Sequence, residues 1–287
     1  MIKRLKRFLF KPLDEKICSI RLNFKFLWNI LFPSIPLLTR LSYGAWWIAV
    51  NDFNNDSIFA GNYEVQERRF VERFLKNGMT VFDIGAHHGF YTLLASKKVG
   101  KLGMVVAFEP SPRERKRLNT HVKLNNYRNV IIEPLALTST VGLASMFVVM
   151  GKDTGCNSLR VPRVSEKIEE IKIEVITLDA YITKNNITHV DFIKVDAEGA
   201  ELDIFKGSKK LFNTKPRPVI LCEVDEYRAK PWGHSDIDLL RFLEYYNYKW
   251  FGINSKGFLV PVEEKESWNL VAVPEERDEE MRTLKNI

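Results

Sequence analysis

Residues 79–89 read MTVFDIGAHHG. The first six residues form a short apolar run of the kind that makes a strand buried on both faces. The run stops at an acid and two glycines in the spacing D-x-G-x-x-x-G, namely Asp83, Gly85 and Gly89, and residues 89–99 can form a helix. Outward from this unit, strand and helix periods alternate. MVVAFE (104–109) is a second strand ended by Pro110, residues 112–125 are a charged amphipathic helix, and NVIIEP (129–134) is a third strand. VDFIKVD (190–196) is another buried strand, followed by a helix from about Ala200 to Phe212 and the strand RPVILCEV (217–224). Ser235 and Asp238 have capping-box spacing before a helix that runs to Tyr246. YKWFGI (248–253) and NLVAV (269–273) lie too close together for a crossover helix, so they should pair antiparallel. The alternation predicts an α/β fold with a doubly wound, mostly parallel sheet. Its ligand site belongs at the carboxyl ends of the strands, beside the switch point after the first one.

The flanking segments are less regular. AWWIAV (45–50) and SIFA (57–60) read as strands of a β-hairpin turning at NDFNND, and residues 63–75 as a helix stopped by Asn77-Gly78. LALTSTVGLASMFVVM (135–150) reads as a second hairpin turning at Val141-Gly142, with a polar loop containing Gly151, Gly155 and Pro162 after it. The expected domains are a basic, aromatic extension (1–62), a catalytic body (63–275) and a charged C-terminal tail (276–287).

The 287 residues are 45% hydrophobic and 28% charged, which excludes disordered and collagen-like classes. Cys18, Cys156 and Cys222 have no paired spacing, so neither a disulfide framework nor a cysteine zinc site follows, and a reducing, cytoplasmic setting is expected. The net charge of +7 is localised. Residues 1–40 hold nine Lys/Arg and two acids; the rest of the chain holds 34 of each. A neutral body argues against a nucleic-acid partner. The apolar run at 26–39 is 14 residues long and contains Pro33 and Pro36, too short to span a bilayer. Two readings remain for residues 1–40. One is a peripheral membrane anchor with Phe8, Phe24, Phe26 and Trp28 in the interface; the other is a helix packing those aromatics on the body.

At the strand ends, Gly85 permits a tight turn close to a ligand, Gly89 lets the next helix approach the sheet, and Asp83 supplies a carboxylate suited to an ammonium group. A dinucleotide fingerprint would need glycine at position 87, where His87 stands, which disfavours a nicotinamide dehydrogenase. Glu109, 20 residues past Gly89, stands where doubly wound folds place an acid on ribose hydroxyls. In KVDAEGAE (194–201), Glu198 and Glu201 suit a helix N-terminus, whereas Asp196 sits where a strand meets the ligand crevice. No histidine lies near these acids in sequence, and no metal site is expected.

Together these motifs resemble the FkbM family of S-adenosylmethionine-dependent methyltransferases. The resemblance runs from about Tyr63 to Val273. It is carried by Tyr63-Glu64, VFDIGAHHGFYT (81–92), AFEPSP (107–112), PLAL (134–137), Asn157-Ser158-Leu159, IKVDAEGAE (193–201) and LCEV (221–224). It implies a Rossmann-like methyltransferase fold, a seven-stranded sheet with an antiparallel last strand, and O-methylation of a hydroxyl on a sugar or natural-product acceptor. It further implies that Asp83 takes the methionyl ammonium, that Gly85, Ala86 and Gly89 admit the methionyl part, and that Glu109 takes the ribose. Ala136 and Leu137 would flank adenine. Asn157, Ser158, Glu198 and Glu223 would serve the acceptor side, with Trp46, Trp47 and Trp232 as stacking surfaces. The expected general base is Asp196, made more basic by partial burial, with His87 second and His88 and Glu223 behind it. The family commonly has Asn at position 87, so His87-His88 is a departure. The rivals are a non-catalytic scaffold and a methyltransferase for protein or nucleic acid; no Asn/Asp-Pro-Pro-Tyr/Phe motif of the latter kind is present.

Overall fold

A computed structural model describes residues 13–32, 35–264 and 268–285. Phe8 lies outside the described residues. The chain begins with helix α1 (Leu13–Leu31), strands β1 (Leu37–Arg40) and β2 (Trp46–Ala49), and helices α2 (Phe53–Ala60) and α3 (Val65–Phe74). The alternating body follows: β3 (Thr80–Ile84), α4 (Phe90–Val99), β4 (Met104–Phe108), α5 (Pro112–Leu124) and β5 (Val130–Glu133). An inserted unit comprises β6 (Ala136–Leu137), β7 (Gly142–Val149) and β8 (Ile168–Ile176), leading into α6 (Leu178–Lys184). The body resumes with β9 (Phe192–Val195), α7 (Glu201–Lys206), α8 (Lys209–Phe212), β10 (Val219–Glu223), α9 (Glu226–Ala229) and α10 (Asp236–Tyr245). It closes with β11 (Tyr248–Ile253), β12 (Leu259–Val260) and β13 (Asn269–Pro274).

The main sheet has the order β12-β11-β13-β10-β9-β3-β4-β5. Strands β10, β9, β3, β4 and β5 are parallel; β13 runs antiparallel between β10 and β11. This is the expected doubly wound sheet with its closing antiparallel pair, extended by the two-residue β12 at one edge. Every residue of β3 and β9 is buried, which explains their unbroken apolar runs. Alternate side chains serve two cores. Val81, Val105, Ala107 and Phe192 face one side with Phe70, Leu93 and Leu118. Phe82, Ile84, Val106, Phe108 and Val195 face the other with Tyr181, Phe205 and Leu243. Register sets the site: Ile84 lies opposite Phe108 on one side and Val195 on the other. Three strands therefore end level, and the loops carrying Gly85, Glu109 and Asp196 emerge side by side.

Several local expectations are corrected. Residues 57–60 are helical, because Asp52 accepts from the Asn55 amide and caps α2, and Gly61 in the left-handed region ends it. The Asn/Asp run is a helix start rather than a turn, and β2 pairs with β1 instead. Residues 135–150 do not fold on themselves: β7 pairs antiparallel with β8, and β6 lies parallel to β8. The helix expected from Ala200 to Phe212 breaks at Gly207, where a Cβ would lie 2.3 Å from the Thr138 carbonyl oxygen. The charged tail is packed where it is described: Met281 and Leu284 enter the first core and Arg277 Nη1 donates to the Asp191 carbonyl at 2.6 Å. Likewise Trp47 and Leu41 of the extension join the body's core. Phe24 and Phe26 are exposed, against the reading that the extension packs its aromatics on the body.

Candidate active site

The β3 turn is built for close approach. The Gly85 and Ala86 amides both donate to the Phe108 carbonyl at 3.1 Å, tying the turn to β4. Gly85 has φ +76°, and a Cβ there would fall 1.9 Å from the Asp196 carbonyl oxygen, so only glycine fits. Gly89 has φ +95° and lets α4 start against Leu118 of α5. His87 also lies in the left-handed region, at φ +49°. Asn and His both tolerate that region better than most residues, which makes His87 a compatible departure.

Asp83 is buried. Its Oδ2 accepts from Thr92 Oγ1 at 2.5 Å, while Oδ1 has no hydrogen-bond partner. Burial raises its pKa, partly opposed by Lys194. A buried carboxylate oxygen without a donor is costly unless a ligand supplies one. Glu109 is tied down by backbone: Oε2 accepts from the His87 amide at 2.7 Å and Oε1 from the Ser111 amide at 2.9 Å. Burial pushes its pKa up to about 8 despite those bonds.

The β9 end holds a charge cluster that the sequence reading treated as separate acids. Lys194 is buried; its ammonium donates to Asp196 Oδ2 at 2.8 Å and lies over the Tyr91 ring. Burial acts to neutralise it, but Asp196, Glu64 and Asp83 outweigh that and hold it charged. Burial also acts to raise the Asp196 pKa, yet Lys194 reverses the balance and holds it below the usual carboxylate range. The expectation that burial makes Asp196 more basic is therefore corrected. Glu223, which hydrogen-bonds Asp196, is raised well above its ordinary value by burial and then by Asp196, and it leaves Oε2 without a partner. Glu201 Oε1 accepts from the Ala197 amide at 2.7 Å and the Gly199 amide at 3.3 Å, as an acid at a helix start should. Glu198 pairs with Arg228. Glu64, bonded by the Tyr91 hydroxyl, is raised to about 7 by burial.

Two adjoining hollows sit over these loops. The first, about 610 Å³, is walled by Phe108, Glu109, Ala136, Leu137, Asn157 and Ile204. The second, about 550 Å³, is walled by Trp47, Tyr63, Asp83, Ala86, Tyr91 and Lys194. Gly85, His87, Gly155, Asp196 and Glu198 line both. Asn157 Oδ1 accepts from the Val149 amide at 2.8 Å, and Ser158 Oγ donates to the Glu198 carbonyl at 3.3 Å; both steady the loop that closes the first hollow. Gly89 lines neither hollow, and Glu223 stands behind Asp196 rather than in the lining.

Histidine roles are separated. His87 Nε2 lies 2.9 Å from Thr154 Oγ1, and burial lowers its pKa. His88 is buried, stacked on His87 at 3.7 Å, with Nδ1 3.3 Å from Asn55 Nδ2, and burial lowers its pKa too. Among the described residues, His87, His88 and Glu114 could converge on a metal ion, but Arg117 Nη1 lies 3.3 Å from His88 Nε2, where a cation would be repelled. Trp46 packs under Arg40 and Trp232 under Arg160, and neither lines either hollow; Trp47 does reach the second hollow. Sequence reasoning missed Lys194 as a functional group. The available signal was a lone cation inside an apolar strand, which burial forces to find an anion.

Residues 83–250, over half of the chain, match the methyltransferase FkbM domain. The chain belongs to the FkbM methyltransferase family. S-adenosylmethionine is the cofactor of this family. The residues present fit that group: the partnerless Asp83 Oδ1 awaits an ammonium, Glu109 carries acceptor oxygens for hydroxyls, and the apolar wall at Ala136, Leu137 and Ile204 suits a purine. This FkbM methyltransferase is 24% identical over 144 residues to Methyltransferase 1 of Beauveria bassiana, covering 44% of this chain and 57% of that one. The chain thus spans little over half of that relative's length. It is 28% identical over 154 residues to ribosomal RNA large subunit methyltransferase E of Buchnera aphidicola, covering 53% of this chain and 71% of that one. Among solved structures it is similar to the methyltransferase FkbM of Methylobacillus flagellatus, with 14% identity, a TM-score of 0.42, and 78% and 56% of the two chains covered.

Proposed function

We propose that this methyltransferase O-methylates a hydroxyl of a sugar, glycan or natural-product acceptor. The observation that carries the reading is the shared wall: Asp196 lines both hollows, with the purine wall in the first and Asp83, the ammonium anchor, in the second, so an acceptor oxygen reaching Asp196 would meet an ionised carboxylate beside the donor. The donor brings a methyl already activated by its sulfonium. The chain's task is alignment, and positioning of this kind contributes roughly 7–11 kcal/mol. Glu109 orients the ribose hydroxyls, and Asp83 Oδ1 holds the ammonium. Asp196 would accept the acceptor's O–H hydrogen bond and take its proton as the C–O bond forms and the S–CH3 bond of the donor breaks, the sulfur leaving as a neutral thioether. The acceptor oxygen becomes strongly acidic as it gains that bond, so a weakly basic carboxylate suffices. Lys194 fixes the Asp196 carboxylate and keeps it ionised. His87, neutral and bonded to Thr154, shapes the wall between the hollows.

The even charge of residues 41–287 supports a non-nucleic-acid acceptor. An intact donor site supports catalysis over a scaffold role. Unpaired Cys18, Cys156 and Cys222 support a cytoplasmic setting. The test is a screen of labelled donor against glycans and small hydroxyl metabolites, with mass spectrometry of the product. Asp196→Asn should lower turnover on the identified acceptor by about 10²–10⁴-fold while changing donor affinity little. Methylation of nitrogen or carbon, or full activity of the variant, would overturn the reading.

A further inference from the structure

Helix α1 has two unlike sides. One is fastened to the fold. Cys18 Sγ donates to the Ala60 carbonyl at 3.4 Å, Arg21 Nη2 donates to Thr39 Oγ1 at 3.2 Å, and buried Lys25 donates to the Val50 carbonyl at 2.8 Å and Asp56 Oδ1 at 2.6 Å. Residues 18, 21 and 25 recur at helical spacing and define the seated face. The adjoining face carries Ile17, Ile20, Phe24, Leu27 and Leu31, again at steps of three and four, and each is 47–66% exposed. Phe26 and Ile30 are exposed farther round the helix, and Phe32, Ile35 and Leu38 add exposed apolar surface past its end. A contiguous apolar surface of this kind marks an interaction site rather than chance exposure.

Charge selects the occupant. The whole net charge of +7 belongs to residues 1–40, and residues 1–11 carry Lys3, Arg4, Lys6, Arg7 and Lys11 without an acid. A second copy of the chain would bring two such segments together, against their repulsion. An anionic lipid surface satisfies both the cations and the apolar stripe. Among the described residues no helix is long and apolar enough to cross a membrane, so the helix would lie in the interface plane. We propose that α1, with the basic segment before it, seats this enzyme on an anionic bilayer surface. The face that is fastened to the fold leads to α2, which carries Asn54 and Ile58 to the wall of the second hollow, so the seated helix is tied to an element that borders the candidate site.

The experiment is vesicle flotation of the full chain, with phosphatidylcholine alone and with phosphatidylglycerol added. The chain should float with the anionic vesicles, bind neutral ones at least about tenfold more weakly, and detach as salt rises. Ile20→Asp/Phe24→Asp/Leu27→Asp should weaken flotation at least about tenfold with unchanged melting and donor affinity, because these side chains already face water. Lys6→Glu/Arg7→Glu should weaken binding to anionic vesicles alone. A wild-type chain that stays with the unbound fraction overturns the proposal, as does a triple variant that floats like wild type. A concentration-dependent dimer lost in the triple variant, without vesicle binding, would assign the face to a second copy. Donor affinity is read in the same samples, so failure here is distinct from failure of the methyltransferase reading.

Discussion

Replacing Lys194 with methionine keeps the length of the side chain and removes its charge. In the native protein its ammonium sits 2.8 Å from Asp196 Oδ2, with 6% and 26% of the two side chains exposed. Removing one partner of a buried pair costs about 3–5 kcal/mol; the partial exposure of Asp196 places this pair near 3. For a chain of this size that corresponds to a fall in Tm of roughly 6–12 °C at about 2–4 °C per kcal/mol. The loss depends on pH. With Lys194 present, the depressed Asp196 pKa contributes stability above the ordinary carboxylate pKa, and that contribution is lost as pH falls through the depressed value. In the variant, burial and the neighbouring acids raise the Asp196 pKa, so folding weakens as pH rises. The Tm gap between wild type and Lys194→Met should therefore be widest near pH 8 and narrow toward pH 5. The double variant Lys194→Met/Asp196→Asn should recover part of the gap, since the Asp196 charge goes with its partner while Asp83 and Glu64 still lose the cation. Calorimetric melting across pH measures all three proteins. Equal melting of the single variant and wild type at pH 8, or no recovery in the double variant, would refute the pairing as the organiser of this cluster.

Donor affinity should strengthen as pH rises through about 8, where Glu109 ionises and becomes a better acceptor for ribose hydroxyls; titration calorimetry should show that dependence flattened, and affinity reduced at least about tenfold, in Glu109→Gln. The same variant should also lose about 1–3 kcal/mol of stability, because the Gln amide keeps one acceptor oxygen and leaves either the His87 or the Ser111 amide without one. Gly85→Ala should abolish donor binding, since its Cβ would meet the Asp196 carbonyl oxygen at 1.9 Å and no side chain can flex to relieve it; a crystal structure with an unmoved loop would contradict this. Asp83→Asn should reduce donor affinity by about 10-fold or more while raising Tm, because it replaces a buried carboxylate whose Oδ1 has no partner; a lower Tm would show that the charge is already compensated.

The parallel body was legible because buried strands announce themselves. TVFDI, MVVAF and FIKV have no room for solvent-facing alternation, and the glycines between them mark turns. The capping box at Ser235 was legible because both of its partners lie within four residues. What escaped was non-local or doubly coded. Strand β8 shows Ile171, Ile173 and Val175 on one face, but four of its nine positions (Glu169, Glu170, Lys172 and Glu174) are charged and its partners β6 and β7 are far off in the chain. The Asn/Asp run before Ser57 suits a turn and a helix cap equally, and Asn55 bonding to Trp47 decides between them. In the site, the positions of Asp83, Gly85 and Glu109 followed from spacing along single strand–turn units. The basicity of Asp196 did not, because it depends on Lys194 two residues earlier pointing to the same side of β9, and on Glu223 one strand over.

The segment after β13 has a practical consequence. Glu276 grips Arg217 with both carboxylate oxygens, Met281 is wholly enclosed, and the Lys285 ammonium rests over Phe251. A protein engineer trimming the highly charged last dozen residues as dispensable would pull a plug from beneath the central sheet and leave a guanidinium stranded. Shortened versions ending near residue 275 should be expected to aggregate during production, whereas a purification handle joined after the final residue leaves that plug in place.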